Sequence, residues 1–186
     1  MATSLDRALV LSEETVAYGT YASATLRSVE FLDSDTQFES APTIVQGQGV
    51  RAGAILADGS RSVVVRQDVP GSIGFEVLPK GQGTIWKWML GACASTLVSG
   101  TAYQQVGTLA AALASFTAQE QWYYMADDGT YTAGTFSWLG CMFTDFELTM
   151  GAEIATVKAN LNGRTVDTAQ TPVAVTLPST ATAPFH

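Results

Sequence analysis

Two runs of alternating apolar and polar residues flank a glycine-centred break near the C-terminal end of the chain. They are Gly140–Thr149 and Ile154–Gly163, separated by Met150-Gly151-Ala152-Glu153. Gly151 can take the positive φ that a tight turn demands. If Gly151 and Ala152 form a two-residue turn, Leu148 lies opposite Ala155, Phe146 opposite Val157, Asp145 opposite Lys158 and Glu147 opposite Thr156. Met142, Phe146, Leu148, Ala155, Val157, Ala159 and Leu161 then share one face. Asp145, Glu147, Thr149, Thr156, Lys158, Asn160 and Asn162 share the other. Both runs sort apolar from polar in one register, and a slip of one residue would invert it. The pattern predicts an antiparallel hairpin with one packed and one wet face.

Further alternation predicts more strands. Ile73, Phe75 and Val77 point inward with Glu76 outward, and Thr25 to Leu32 reads as a strand closed by Asp33-Ser34-Asp35. In Ser115–Trp122, Phe116, Ala118 and Trp122 point one way, and Ser115, Thr117, Gln119 and Gln121 the other. Trp122 to Met125 and Gly129 to Trp138 are β segments around an Asp127-Asp128-Gly129 turn. Between them the period switches. Ile85, Trp88, Met89 and Ala92 fall on a helical stripe, which predicts one helix over about residues 82–91, ended by Gly91. Residues 1–23 read as an extended or partly helical arm. Residues 41–70 read as a long, mobile β-hairpin holding Gly47, Gly49, Gly53 and the Asp58-Gly59 turn. Its sparse apolar content predicts that a neighbouring subunit orders it. Residues 97–114 are compatible with a helical turn or a loop. After Gly163 the chain turns Thr-, Pro- and Ala-rich, with one short strand candidate at Val173–Leu177 and no internal repeat. The expected division is a domain over 1–163 and an extension over 164–186.

Composition narrows the class. The chain has 186 residues and 47% hydrophobic content, enough for a packed core in one domain. Only 14% of its residues are charged, which points to neutral or apolar surface engaged in subunit contacts. With 17 acidic against 9 basic residues the net charge is −8, the wrong sign for gripping a nucleic acid backbone. The opening Met-Ala-Thr-Ser-Leu-Asp-Arg lacks the basic-then-apolar order of a secretory signal, and no apolar run is long enough to span a bilayer. Cys93 and Cys141 read as free buried thiols.

Catalytic chemistry is not supported. The only histidine is His186, so neither a Ser-His-Asp triad nor a zinc site assembles convincingly. Gly47-Gln48-Gly49-Val50-Arg51-Ala52-Gly53 superficially resembles a dinucleotide loop, but its third glycine falls one residue late. Asp33, Asp35 and Glu39 suggest a calcium loop until position six, which is Phe38 and not glycine. Trp86, Trp88, Trp122 and Trp138 would suit a sugar platform, yet spacing puts Trp88 and Trp122 on core faces.

The order of these features resembles the major tail tube protein of long-tailed, non-contractile bacteriophages. The resemblance runs through Glu13-Glu14-Thr15-Val16-Ala17-Tyr18-Gly19-Thr20-Tyr21, Val29-Glu30-Phe31-Leu32 and Glu39-Ser40-Ala41. It continues through Pro70–Val77, the helix ending Trp88-Met89-Leu90-Gly91, Ser115–Gln119 and the Gly140–Gly163 hairpin. It covers about residues 8–163, and the last 23 residues lie outside it. The Ala-rich 108–114 stretch and a loop poor in basic residues depart from the family pattern.

The resemblance implies a mainly β domain, an antiparallel sandwich or barrel with one flanking helix. It implies six copies closing a ring, rings stacking into a tube, and a place in the virion tail after synthesis in the host cytoplasm. Other tail proteins (tape measure, terminator, distal tail) are the implied partners. Double-stranded DNA passes through without specific binding, and no cofactor, metal, enzyme activity or membrane is implied. On that reading Glu76, Gln119, Asp145, Glu147 and Lys158 line the lumen, with Lys158 partly neutralised by Asp145. Gly47, Gly49, Arg51, Gly53, Arg61 and Arg66 belong to a loop between rings. The competing class is an extracellular adhesin-like β-sandwich. It accounts for the Thr, Ser and Gly content but not for the low charge or the long hairpin.

Overall fold

The computed structural model describes residues 7–22, 27–47, 62–100, 102–125, 131–150 and 154–177. Eleven strands and one helix follow in chain order: β1 (Arg7–Glu13), β2 (Arg27–Val29), β3 (Leu32–Phe38), β4 (Ala41–Gln46), β5 (Ser62–Glu76), α1 (Gly83–Leu90), β6 (Gly91–Ser99), β7 (Ala102–Leu109), β8 (Phe116–Met125), β9 (Tyr131–Thr149), β10 (Thr156–Gly163) and β11 (Thr165–Asp167). Nine strands form one antiparallel sheet along the path β2-β1-β8-β9-β10-β5-β3, with β11 beside β9 and β4 beside β5. β6 and β7 make a separate two-stranded ribbon.

Two long strands carry the sheet around its core. β9 pairs with β8 through its first half and with β10 through its second. Gly140 sits between those halves at φ +66°, a conformation closed to most side chains. A Cβ there would come within 2.9 Å of Arg164 and 3.0 Å of the Tyr18 ring. β5 likewise serves β4 with its first half and β10 and β3 with its second.

The core lies against the inward side of this curved sheet. Leu9, Leu11, Ile73, Phe75, Phe116, Ala118, Phe143, Val157, Ala159 and Leu161 meet the α1 residues Ile85, Trp88 and Met89. The helix ends at Gly91, φ +101°, whose N–H bonds back to the Lys87 carbonyl. Inward placement of Ile73 and Phe75 and a helix burying Ile85, Trp88 and Met89 are thus as the periodicity predicts, whereas Ala92 belongs to β6 and not to the helical stripe.

Several expectations are corrected. The Arg7–Glu13 stretch is no arm: it is an interior strand between β2 and β8, with Leu9 to Ser12 all buried. Asp33, Ser34 and Asp35 do not close a strand but lie inside β3. Residues 102–109 are strand β7. In the 140–163 hairpin the polar and apolar faces hold along β10, but partners move by two residues. Val157 faces Leu148, Lys158 faces Glu147, and Asn160 faces Asp145. The parity survives because the connection is longer than two residues by an even number. A bulge at Thr144 then exchanges the roles of Met142 and Phe143. Phe143 opposes Leu161 and is buried, whereas Met142 opposes Asn162.

Candidate assembly surfaces

Two carboxylates, half-buried Glu14 and buried Glu120, fix the loops around the sheet. Glu14 accepts from the Gly140 N–H at 2.7 Å, the Gly19 N–H at 2.8 Å, the Ser115 hydroxyl at 2.7 Å and the Thr117 hydroxyl at 3.1 Å. Four donors on one carboxylate tie the Glu14–Tyr21 turn to β8 and to the kink of β9. Glu120 accepts from Arg7 Nε at 2.7 Å and from Trp138 Nε1 at 3.2 Å. Arg7 also lies 4.9 Å from the Trp122 ring centroid and 5.2 Å from that of Phe31. Trp122 is accordingly half-buried beneath Arg7 and not a core residue.

On the outer side of β9, β10 and β5, polar residues stand in rows. Thr156 lies between Thr149 and Glu76, Lys158 between Glu147 and Gly74, and Asn160 between Asp145 and Ser72. Asp145, Glu147, Lys158 and Asn160 are exposed and Glu76 is half-buried. The expected Lys158–Asp145 pairing is not formed. Lys158 Nζ bonds to Asp35 at 2.9 Å, and Asp145 accepts from Asn160 Nδ2 at 2.6 Å. Asp35 reaches Lys158 because β3 crosses over Gly74, where a Cβ would collide with that of Asp35. Sequence reading placed Asp35 in a solvated turn, and only the β3 crossing reveals its role.

The Lys158 ammonium holds the Asp35 carboxyl below its usual range, chiefly through their hydrogen bond. A depressed carboxyl contributes stability above its unfolded value and loses it as pH falls through the folded one. Lys158→Met should therefore move the Asp35 carboxyl back up in a carbon-detected NMR titration. An unchanged midpoint would show that the pair does not persist in solution.

Gln119 departs from this face. Its side chain is 1% exposed, covered by Tyr21 and by the segment after β11. Thr117 and Gln121, on the same side of β8, are buried as well, Gln121 under the same segment and Thr117 beside Glu14 and Ala22. Hydropathy gives no hint of the cover over Gln119 and Gln121, because it is made by side-chain amides bonding a backbone.

The 41–70 stretch is a hairpin in its stem, where β4 pairs with β5 from Ala41↔Asp68 to Gln46↔Ser62. Val45 opposes Val63 and Ile44 opposes Val64, on opposite faces of the ribbon. All four, with Val65, are between 54% and 60% exposed, so both faces are apolar and bare. Arg66 is exposed and paired with Asp68 at 2.7 Å, and Gly47 ends the stem. Gly49, Arg51, Gly53 and Arg61, and the Asp58-Gly59 turn, lie outside the described residues. The β6–β7 ribbon, missed in the sequence, exposes Leu97, Val98, Tyr103, Val106 and Leu109. Its small residues, Ala92-Cys93-Ala94-Ser95-Thr96, gave too weak a period to read. A cleft of about 870 Å³ is lined by this ribbon, Trp86, Leu90 and the Leu78–Gly81 turn.

A curved antiparallel sheet that leaves two apolar ribbons bare is the build of an assembly subunit. Comparison with known families gives the same class and a definite membership. The family described as phage tail tube protein matches residues 4–186, and this chain belongs to it. It is a structural protein of the phage tail, a virion component, as the order of motifs implied. The SPP1 tail tube, solved by solid-state NMR and cryo-EM, shares the fold at TM-score 0.50 and 10% identity, over 89% of this chain and 77% of that one. The tail of an empty GTA particle, refined helically with C6 symmetry, aligns at TM-score 0.41 and 11% identity over 91% and 100% of the two chains. A crystal structure of Hcp protein aligns at 0.31 and 12% identity over 86% and 88%. No curated protein matches this chain significantly.

Proposed function

We propose that six copies of this subunit close a ring, that rings stack into the tail tube, and that the polar face of β9, β10 and β5 lines its lumen. The observation that carries this reading is the segregation on that face. Asp145, Glu147, Lys158 and Asn160 stand in solvent while Val157, Ala159 and Leu161 of β10 are buried on the reverse. Because Asp35 takes Lys158, the carboxylates of Asp145 and Glu147 keep their charge facing outward. A lumen of carboxylates and amides presents like charge to a DNA duplex. The duplex stays hydrated and passes without the counterion release that makes basic channels adhere. The bare ribbons make the contacts between subunits, the 41–70 hairpin between rings, and the tube ends meet the tape measure, terminator and distal tail proteins. An adhesin-like module has no support beside the family membership.

The test is a double charge reversal, Asp145→Lys with Glu147→Lys. Both side chains are solvated and contribute only about 0–1 kcal/mol to folding, so tubes should assemble normally. DNA ejection from particles carrying the change should slow several-fold, more at low salt than at high. Unimpaired ejection at low salt would remove the face from the lumen. Failure to assemble would make it a subunit interface.

A further inference from the structure

After β11 the chain bends at Gln170, where Ala169 N–H and Gln170 Nε2 bond back to Asp167, and residues 171–177 run on without a further bend and join no strand ladder. The segment crosses the polar face of β8 and β9, and side chains hold its backbone. Thr135 Oγ1 donates to the Gln170 carbonyl at 2.5 Å, Gln119 Nε2 to that of Thr171 at 3.1 Å, and Gln121 Nε2 to that of Val173 at 2.7 Å. In return the Val173 N–H donates to Gln119 Oε1 at 3.0 Å, and the Thr176 N–H to Ser28 Oγ at 2.8 Å. Val173 thus finds one acceptor and one donor, as a residue does on the edge of a sheet.

The two amides are positioned without the segment. Gln121 Nε2 also donates to Gln119 Oε1 at 3.0 Å, and Tyr123 donates its hydroxyl to Gln121 Oε1 at 3.0 Å. Gln119 Nε2 reaches the Ser137 hydroxyl at 3.3 Å and the Tyr21 hydroxyl at 3.2 Å. With the segment in place Gln119 and Gln121 are 1% and 0% exposed, and their bonds to each other and to Ser137, Tyr21 and Tyr123 make them a built site and not surface residues that happen to touch a tail.

We propose that Gln119, Gln121 and Thr135 form a peptide-binding groove that recognises extended backbone, and that its resident ligand is the chain's own segment 168–177, docked as a detachable strap. Recognition is through the strap's N–H and C=O groups, while the side chains of Thr171, Pro172, Ala174 and Thr176 face solvent. The groove is therefore tolerant of sequence and selective for extended conformation. The strap's backbone bonds go to side chains and none goes to the backbone of β8 or β9, so release leaves the β8–β9 ladder whole. An emptied groove opens both amides to water, and any strand of matching spacing that displaces that water, including the same segment of a second copy, restores the bonds.

Val173→Pro in the full chain removes the N–H that Gln119 accepts, whereas Val173→Ala keeps the backbone. Hydrogen exchange over residues 168–177 should stay at the parent rate in Val173→Ala and rise about tenfold in Val173→Pro, the loss of one well-placed hydrogen bond and its neighbours. A labelled synthetic peptide of residues 168–177 should bind the Val173→Pro chain but not the parent, whose tethered strap competes at high effective concentration. Adding Thr135→Val to Val173→Pro should weaken that binding about threefold to tenfold. Thr135→Val alone should speed exchange around Gln170, which keeps the test open if the proline variant folds poorly. Unchanged exchange in both single variants, release by Val173→Ala as complete as by Val173→Pro, or peptide binding indifferent to Thr135 would each overturn the groove.

Discussion

Trp88→Ala is expected to lower the unfolding free energy of the isolated subunit by about 3–5 kcal/mol, the cost of removing a fully buried indole. Trp88 is 1% exposed and stacks on Phe116 with ring centroids 5.0 Å apart. Phe116 in turn packs on Phe143 at 4.8 Å, so the indole is the first of three aromatic layers linking α1 to β8 and β9. Alanine would leave a cavity at the point where α1 joins the sheet. The indole N–H has no hydrogen-bond partner, so no polar group is orphaned by its removal. Trp88→Phe therefore separates shape from polarity. It keeps most of the stack and relieves an unpaired buried donor, and should cost less than about 1.5 kcal/mol. Denaturant unfolding of the unpolymerised subunit measures both. A loss below about 1 kcal/mol for Trp88→Ala would place the indole outside the stabilising core.

What was legible in the sequence follows from what covers each face. Ile73, Phe75, Val157, Ala159 and Leu161 alternate because one side of their strands meets the core and the other does not. β1 escaped that rule because Leu9, Val10, Leu11 and Ser12 are buried on both sides, which leaves a run without period. The Thr144 bulge escaped because one extra residue changes the phase without changing composition. The polar and apolar sides of β10 are as the alternation predicts, yet the charge pairing is not, since Asp35 arrives from a strand more than a hundred residues away. Alternation sets Gln119 on the side of β8 opposite Phe116 and Ala118, and the family resemblance makes that side the lumen. Tyr21 and the return of the C-terminal segment over β8 bury it.

Val63→Asp with Val64→Asp is expected to abolish tube formation while leaving the subunit folded. These two side chains lie on opposite faces of the β4–β5 ribbon, opposite Val45 and Ile44. They are 60% and 54% exposed in the single subunit, so folding gains little from them and a change there should shift unfolding by no more than about 0.5 kcal/mol. In a polymer the balance differs. If neighbouring copies cover both faces, each new carboxylate must be desolvated without a partner, at a cost of several kcal/mol, and the cost recurs at every subunit. Arg66→Ala on the same ribbon provides the contrast. Its guanidinium is at the exposed rim and already paired with Asp68, so its loss should change assembly rate and salt dependence but not the final tubes. Sedimentation velocity would follow the size distribution, and negative-stain microscopy would show the tubes. Normal-length tubes from the double aspartate variant would mean that the ribbon stays in solvent after assembly. The burden of joining subunits would then pass to the β6–β7 ribbon, where Leu97 and Tyr103 face each other across the strands and are bare on the same side.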